Sequence, residues 1–176
     1  MEKFINEDDS TIYVITSELD DKHYGMVATW ICPASLRTDE LRFTLALSKF
    51  NHSKKPILTT RKFIIHKLPL NQFMTAYRMG LHHSEEVDKF IDESYSTHES
   101  GVRVLKNASS YGLGSVLSFL ETEDRYILYC SAGNILFNQK SIQELTQKDL
   151  FSQLTESDRL LLGKKYLNDC ERDTPK

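Results

Sequence analysis

The strongest constraint on this chain is a succession of six strand-length apolar segments whose separators leave no room for a run of long crossover helices. Ile12 to Ser17 (IYVITS) is short, apolar and β-branched, as strands are. Asp20-Asp21-Lys22 breaks the chain before Tyr24 to Cys32 (YGMVATWIC), predicted as a second strand whose ladder Pro33 ends. Leu41 to Phe50 (LRFTLALSKF) sets Leu41, Phe43, Leu45 and Leu47 on one face, the pattern of a half-buried strand. Lys62 to Leu68, Tyr111 to Leu120 and Tyr126 to Phe137 return to strand character, with Gly112, Gly114 and Gly133 expected at bulges or bends. A doubly wound α/β sheet needs a long helix after each strand. The pattern therefore predicts a mainly β fold, a β-barrel carrying short α additions.

Helical signals fill the gaps. In Asn51 to Thr60, Ser53 takes the N-cap position with Pro56 three residues on. Leu70 to Leu81 spaces Phe73, Met74, Tyr77 and Leu81 as a helix does, and Ser84 to Ile91 suggests a further short helix with acids in its first turn. Ser141 with Glu144, and Thr155 with Asp158, are capping-box patterns that predict a helical C-terminal tail.

The 176 residues are 40% hydrophobic and 27% charged, the composition of one globular domain. A net charge of −3, from 22 basic and 25 acidic side chains, lacks the cationic surface that binding to nucleic acid requires. Cys32, Cys130 and Cys170 are far apart and form no CxxC pair, which fits a reduced, cytoplasmic setting better than a disulfide framework. The opening MEKFINEDDS is acidic where a signal peptide is basic and then apolar. No apolar run approaches the roughly 20 residues of a membrane span. The expectation is a cytoplasmic protein with neither nucleic acid nor membrane as partner.

Few residues offer chemistry. The histidines (23, 52, 66, 82, 83 and 98) show no HxxxH or HExxH spacing, so no metal site is expected. Gly112-Leu113-Gly114-Ser115 misses GxSxG, and its lone GxG fits a bulged strand better than a dinucleotide fingerprint. Lys49 to Lys55 (KFNHSKK) is more informative. A strand end followed by His, Ser and two lysines at a helix start is a plausible phosphate cradle of N–H groups, dipole and hydroxyl. The same residues also describe an ordinary capped helix with solvated lysines, and that is the reading spacing alone favours. Any redox or transfer chemistry would have to come from a bound cofactor.

Taken in order, the segments resemble the flavin-reductase-like, FMN-binding split-barrel family. His23-Tyr24-Gly25-Met26-Val27-Ala28-Thr29-Trp30 is similar to the family's NGMTASW strand, with Pro33 and Ser35 in the following loop. Phe43 to Leu47, ending in Ser48, Lys49, His52 and Ser53, resembles its phosphate segment. Phe63 to Leu68 with Asn71-Gln72, then Gly80, Ser84 and Asp88-Lys89-Phe90, resemble its later motifs. The likeness covers roughly residues 10 to 137. His66 stands where the family has Asn, and Glu123-Asp124-Arg125 stands where it has GDH.

The resemblance implies a Greek-key-like split barrel over residues 1–140; the helical extension over 141–176, which the capping patterns predict and the family does not share, is expected to pack on it. It implies FMN lying against Ala28, Thr29 and Trp30, flanked by Ala34 and Ser35. Ser48, His52, Ser53 and Lys54 would hold the phosphate, Lys89 and Phe90 would close the site, and a homodimer would complete it. The implied activity is hydride transfer from NAD(P)H to flavin. An FMN electron carrier fed by a redox partner protein, or a split barrel that only binds, are the alternatives.

Overall fold

The computed structural model describes residues 9–36, 39–82, 84, 87–138 and 143–172, the side chains of the last helix as far as residue 164. The elements run β1 (Tyr13–Leu19), β2 (Lys22–Ala28), β3 (Ile31–Pro33), β4 (Leu41–Ser48), α1 (Lys54–Thr60), β5 (Lys62–Lys67) and α2 (Phe73–Leu81, entered by a 3-10 turn at Leu70–Gln72). Then come β6 (Tyr95–Thr97), β7 (Arg103–Leu105), β8 (Ser110–Glu121), β9 (Arg125–Phe137), α3 (Gln147–Gln153) and α4 (Glu156–Arg172).

Seven strands form one sheet in the order β2-β1-β5-β8-β9-β4-β3, and β6 pairs only with β7. The pairs within the large sheet are antiparallel. The predicted strand over Tyr24 to Cys32 is in fact two, β2 and β3, and they lie on opposite edges of that sheet. Only Thr29 and Trp30 link them. Three residue steps reach about 10 Å at most, so the sheet must curl until its edges nearly meet. A barrel split along the β2/β3 seam results.

Alternation decides what fills it. Phe43, Leu45 and Leu47 of β4 point inward as predicted, joining Ile15, Met26, Phe63, Val116 and Leu128, while Leu41 ends up exposed at the strand's start. Phe43 and Phe63 meet edge to face with centroids 6.4 Å apart. Helix α1 drives Ile57, fully buried, into the same core, worth about 2 kcal/mol of transfer free energy. Of the three strand glycines, Gly112 sits at a register shift of the β8–β9 pair. Gly114 serves another purpose: a Cβ there would lie 2.3 Å from the Phe63 ring.

A second core packs α2 and α3 on the outside of β1, through Val14, Ala76, Met79, Phe90, Leu145 and Leu150. Residues beyond 140 are laced into the barrel: Ile12 N–H donates to the Leu145 carbonyl at 2.9 Å, Leu145 N–H to Leu68 at 2.8 Å and Gln147 N–H to Ser10 at 2.8 Å. The Thr155/Asp158 capping box is present, with Asp158 N–H on Thr155 Oγ1 at 3.2 Å. The expected box at Ser141 lies outside the described residues, and the helix there is capped by Thr146 and Asp149. The helix expected over Ser84 to Ile91 gives way to turns among the described residues. Phe90 is drawn into the core against His23, Tyr95 and Arg103, an orientation that burial dictates and local capping does not. Among the described residues, no helix is long and apolar enough to cross a membrane, and no group of three His, Cys, Asp or Glu side chains could hold a metal.

Candidate functional site

Among the described residues, the seam leaves backbone unpaired. Ala28 ends β2 buried in the barrel, and the Trp30 carbonyl accepts the Ala46 N–H at 3.0 Å on the opposite edge. Between them, Thr29 is half-buried, and among the described residues nothing hydrogen-bonds its N–H, carbonyl or hydroxyl. The Trp30 ring stands 47% exposed beside it. A half-buried donor and acceptor with no partner among the described residues, next to an exposed indole, is a surface that a ligand with matching polar groups can take.

Register places further residues on the same outer face. Ser48 of β4 lies directly opposite Arg125 of β9, so both side chains point the same way. The Arg125 guanidinium lies 4.1 Å over the Trp30 ring centroid, and its Nε donates to Asp124 at 2.7 Å. Trp30, Ser48 and Arg125 thus form one corner where seam and strand end meet.

The loop from Ser48 to Lys54 differs from the expected cradle. Ser53 is the N-cap residue of α1, but it is 2% exposed and its hydroxyl makes no cap bond. Its N–H donates instead to Asn51 Oδ1 at 2.8 Å. Phe50 N–H goes to Ser48 Oγ at 3.2 Å. Asn51 N–H goes to the Ser48 carbonyl at 3.1 Å, and Lys54 N–H to that of Asn51 at 3.0 Å. The loop satisfies most of its own backbone, so its charge comes from side chains. Lys49 pairs with Glu121 at 3.0 Å, Lys54 donates to the Lys49 carbonyl, and His52 is half-buried between them in sequence.

The other expected residues lie elsewhere. Ala34 N–H bonds the Arg42 carbonyl at 2.9 Å, which sets Ala34 and Ser35 six residues, about 20 Å of strand, from Ser48. Lys89 is 4% exposed, and its ammonium donates at 2.7 Å to the carbonyls of both Gly25 and Met79. With Phe90 it belongs to the second core, on the β2 edge. The structure therefore joins Ala28, Thr29, Trp30, Ser48, His52, Ser53 and Lys54 around one corner, and leaves Ala34, Ser35, Lys89 and Phe90 outside it. Two features of the corner escape sequence reading: the break at Thr29, inside a strand-like run, and Arg125, brought to Trp30 only by tertiary pairing.

The donor set suits a flavin nucleotide. The unpaired Thr29 backbone matches a ring edge that carries both donors and acceptors, the indole matches a planar surface, and lysine, arginine and serine groups match a phosphate.

Comparison with known proteins bears on the family and the fold. Residues 9–145 match the flavin reductase like domain. The chain is 27% identical over 132 residues to a Nostoc sp. protein described as diflavin flavoprotein A 2, covering 74% of this chain but 22% of that protein's length. Among solved structures, it resembles an FMN-binding protein from Thermus thermophilus, with a TM-score of 0.69, 18% identity and coverage of 78% and 76% of the two chains. It also resembles an NADH:FAD oxidoreductase of Streptomyces globisporus, with a TM-score of 0.72, 16% identity and coverage of 82% and 85%. At such identities these structures speak for the fold. With the split barrel, its seam and a domain match over most of the chain all in agreement, the chain belongs to the flavin reductase like family.

Proposed function

We propose that this chain binds FMN along the Ala28–Trp30 seam and reduces it with NADH or NADPH. The observation that carries the reading is the Thr29 backbone, without a partner among the described residues, beside the exposed Trp30 ring and one residue step from a corner of cations. Thr29 N–H and carbonyl hold the polar edge of the ring, and the Lys49, Lys54 and Arg125 side chains hold the phosphate end. The bound flavin supplies the hydride chemistry; the residues of this chain bind it, orient it and exclude water from one of its faces. A second copy of the chain, covering the exposed outer face around Trp30, closes the site from the other side.

One observation favours a second reading, in which a redox protein is the electron donor. Arg125 occupies the face of Trp30, and a stretch resembling this chain makes up 22% of a relative described as a diflavin flavoprotein. An anaerobic visible spectrum decides. Purified protein given FMN shows a bound-flavin spectrum that bleaches on addition of NADH or NADPH. Bound flavin that neither nucleotide bleaches supports the partner-fed carrier, and the absence of flavin binding overturns both readings.

A further inference from the structure

We propose that Arg125 is the residue that makes this site select a phosphorylated flavin over riboflavin. The proposal rests on the flavin reading above and deepens it. Three observations converge. First, the backbone of the Ser48–Lys54 loop is largely spent on itself: the N–H groups of Phe50, Asn51, Ser53 and Lys54 all have partners inside the loop. Ser53 is buried, and α1 is only seven residues long, so a helix-end cradle is not available and an anion must be met by side chains.

Second, the two lysines each divide their charge with a partner, Lys49 with Glu121 and Lys54 with the Lys49 carbonyl, and an ammonium meets a phosphate as a point charge without a planar fork. Arg125 adds that fork. A guanidinium carries five N–H donors. Its Nε serves Asp124, and among the described residues its two Nη amino groups have no hydrogen-bond partner. Those groups form the planar fork that binds phosphate oxygens in pairs.

Third, the fork is held in place. Asp124 fixes one edge of the guanidinium, Trp30 supports its face at 4.1 Å, and the β4–β9 ladder sets it across from Ser48. The ladder continues into the loop, because Lys49 N–H bonds the Asp124 carbonyl at 3.0 Å. Arg125 is therefore preorganised between the seam, where a ring would lie, and the loop, where its phosphate would lie. An arginine left mobile would lose much of the same interaction to ordering.

The test is a pair of titrations, with FMN and with riboflavin, on the full chain and on Arg125→Gln and Arg125→Lys, followed by quenching of flavin fluorescence. Arg125→Gln is expected to weaken FMN about 10- to 100-fold, the span of one or two charge-assisted bonds, and to leave riboflavin within about twofold. Arg125→Lys keeps the charge without the fork, and is expected to recover part of the FMN affinity. Equal losses for both ligands would mean that Arg125 merely supports Trp30, which overturns the proposal. Loss of FMN affinity below twofold in both variants overturns it as well. Wild-type protein that binds neither ligand overturns this inference together with the flavin reading. Arg125→Lys carries the test alone if Arg125→Gln does not fold, since it preserves both the ion pair and the cation over the indole.

Discussion

His66 accepts the Leu105 N–H through Nε2 at 3.1 Å, while its Nδ1 lies 3.1 Å from the Val14 carbonyl. The imidazole is fully buried, and its partners fix the tautomer: Nδ1–H donates to Val14 and Nε2 accepts. One ring ties β1, β5 and β7 together, and only the neutral form can do so. Burial holds its pKa down at about 4, against an ordinary 6.5.

A pH dependence follows from that pair of values. The unfolded chain takes up the proton first, so the stabilisation from neutral His66 is complete above pH 6.5 and drains away as pH falls towards 4. About 3 kcal/mol is at stake. Urea midpoints at pH 7 and pH 4.5 measure it. His66→Asn, which cannot titrate, is expected to start lower at pH 7 and to show a flatter profile; identical slopes for the two proteins would exclude His66 as the source.

Lys89 is expected to matter for stability. Its ammonium satisfies the Gly25 and Met79 carbonyls inside the second core. Lys89→Met keeps the stem but leaves two buried acceptors bare, at a cost of about 2–4 kcal/mol. Chemical denaturation reads this directly. A variant as stable as wild type would show that water replaces the ammonium.

Gly114 is a packing position. An added Cβ would stand 2.3 Å from Cε2 of Phe63 and 2.5 Å from Cζ. Gly114→Ala is expected to destabilise by about 1–3 kcal/mol through overpacking. Combining it with Phe63→Leu should cost less than the sum of the two changes, because they share one clash. Strict additivity in the double-mutant cycle would refute the contact.

Assembly provides a fourth check. Trp30, Leu120 and Tyr129 are exposed on one outer face of β3, β4, β8 and β9, at 47%, 66% and 37%. Light scattering at micromolar concentration should give twice the chain mass, and Leu120→Glu should shift it towards the monomer, since a charge at the centre of an apolar interface is strongly unfavourable. A monomeric wild type would count against a second copy at this face.

Much of the barrel was legible because two-residue alternation is a local signal: Phe43, Leu45 and Leu47 announce β4 and its inward face without any partner in view. The break at Thr29 was not, since Tyr24 to Cys32 is apolar but for a β-branched threonine that suits a strand, and carries no glycine or proline between Gly25 and Pro33. Ser84 to Ile91 carried helical caps, yet its described residues form turns and Phe90 is buried in the second core. At the site, Trp30 and Ser48 could be picked out because their motifs are continuous in sequence. Arg125 lies 95 residues from Trp30, and no spacing rule links them. Its contact with Trp30 exists only in three dimensions.

The order of strands also governs when the site can come into being during folding. β3 joins the sheet only through β4, and β4 only through β9, whose pairing sets Leu41 against Ala132. Joining residues so distant in sequence is slow, because loop closure precedes any return from the contacts. The hairpin of β1 and β2, closed by Asp20 and Asp21 at positive φ, needs no such wait. One lip of the seam is thus built from neighbours and the other from the sheet's most distant ladder, so Trp30 meets Arg125 only after β4 has found β9.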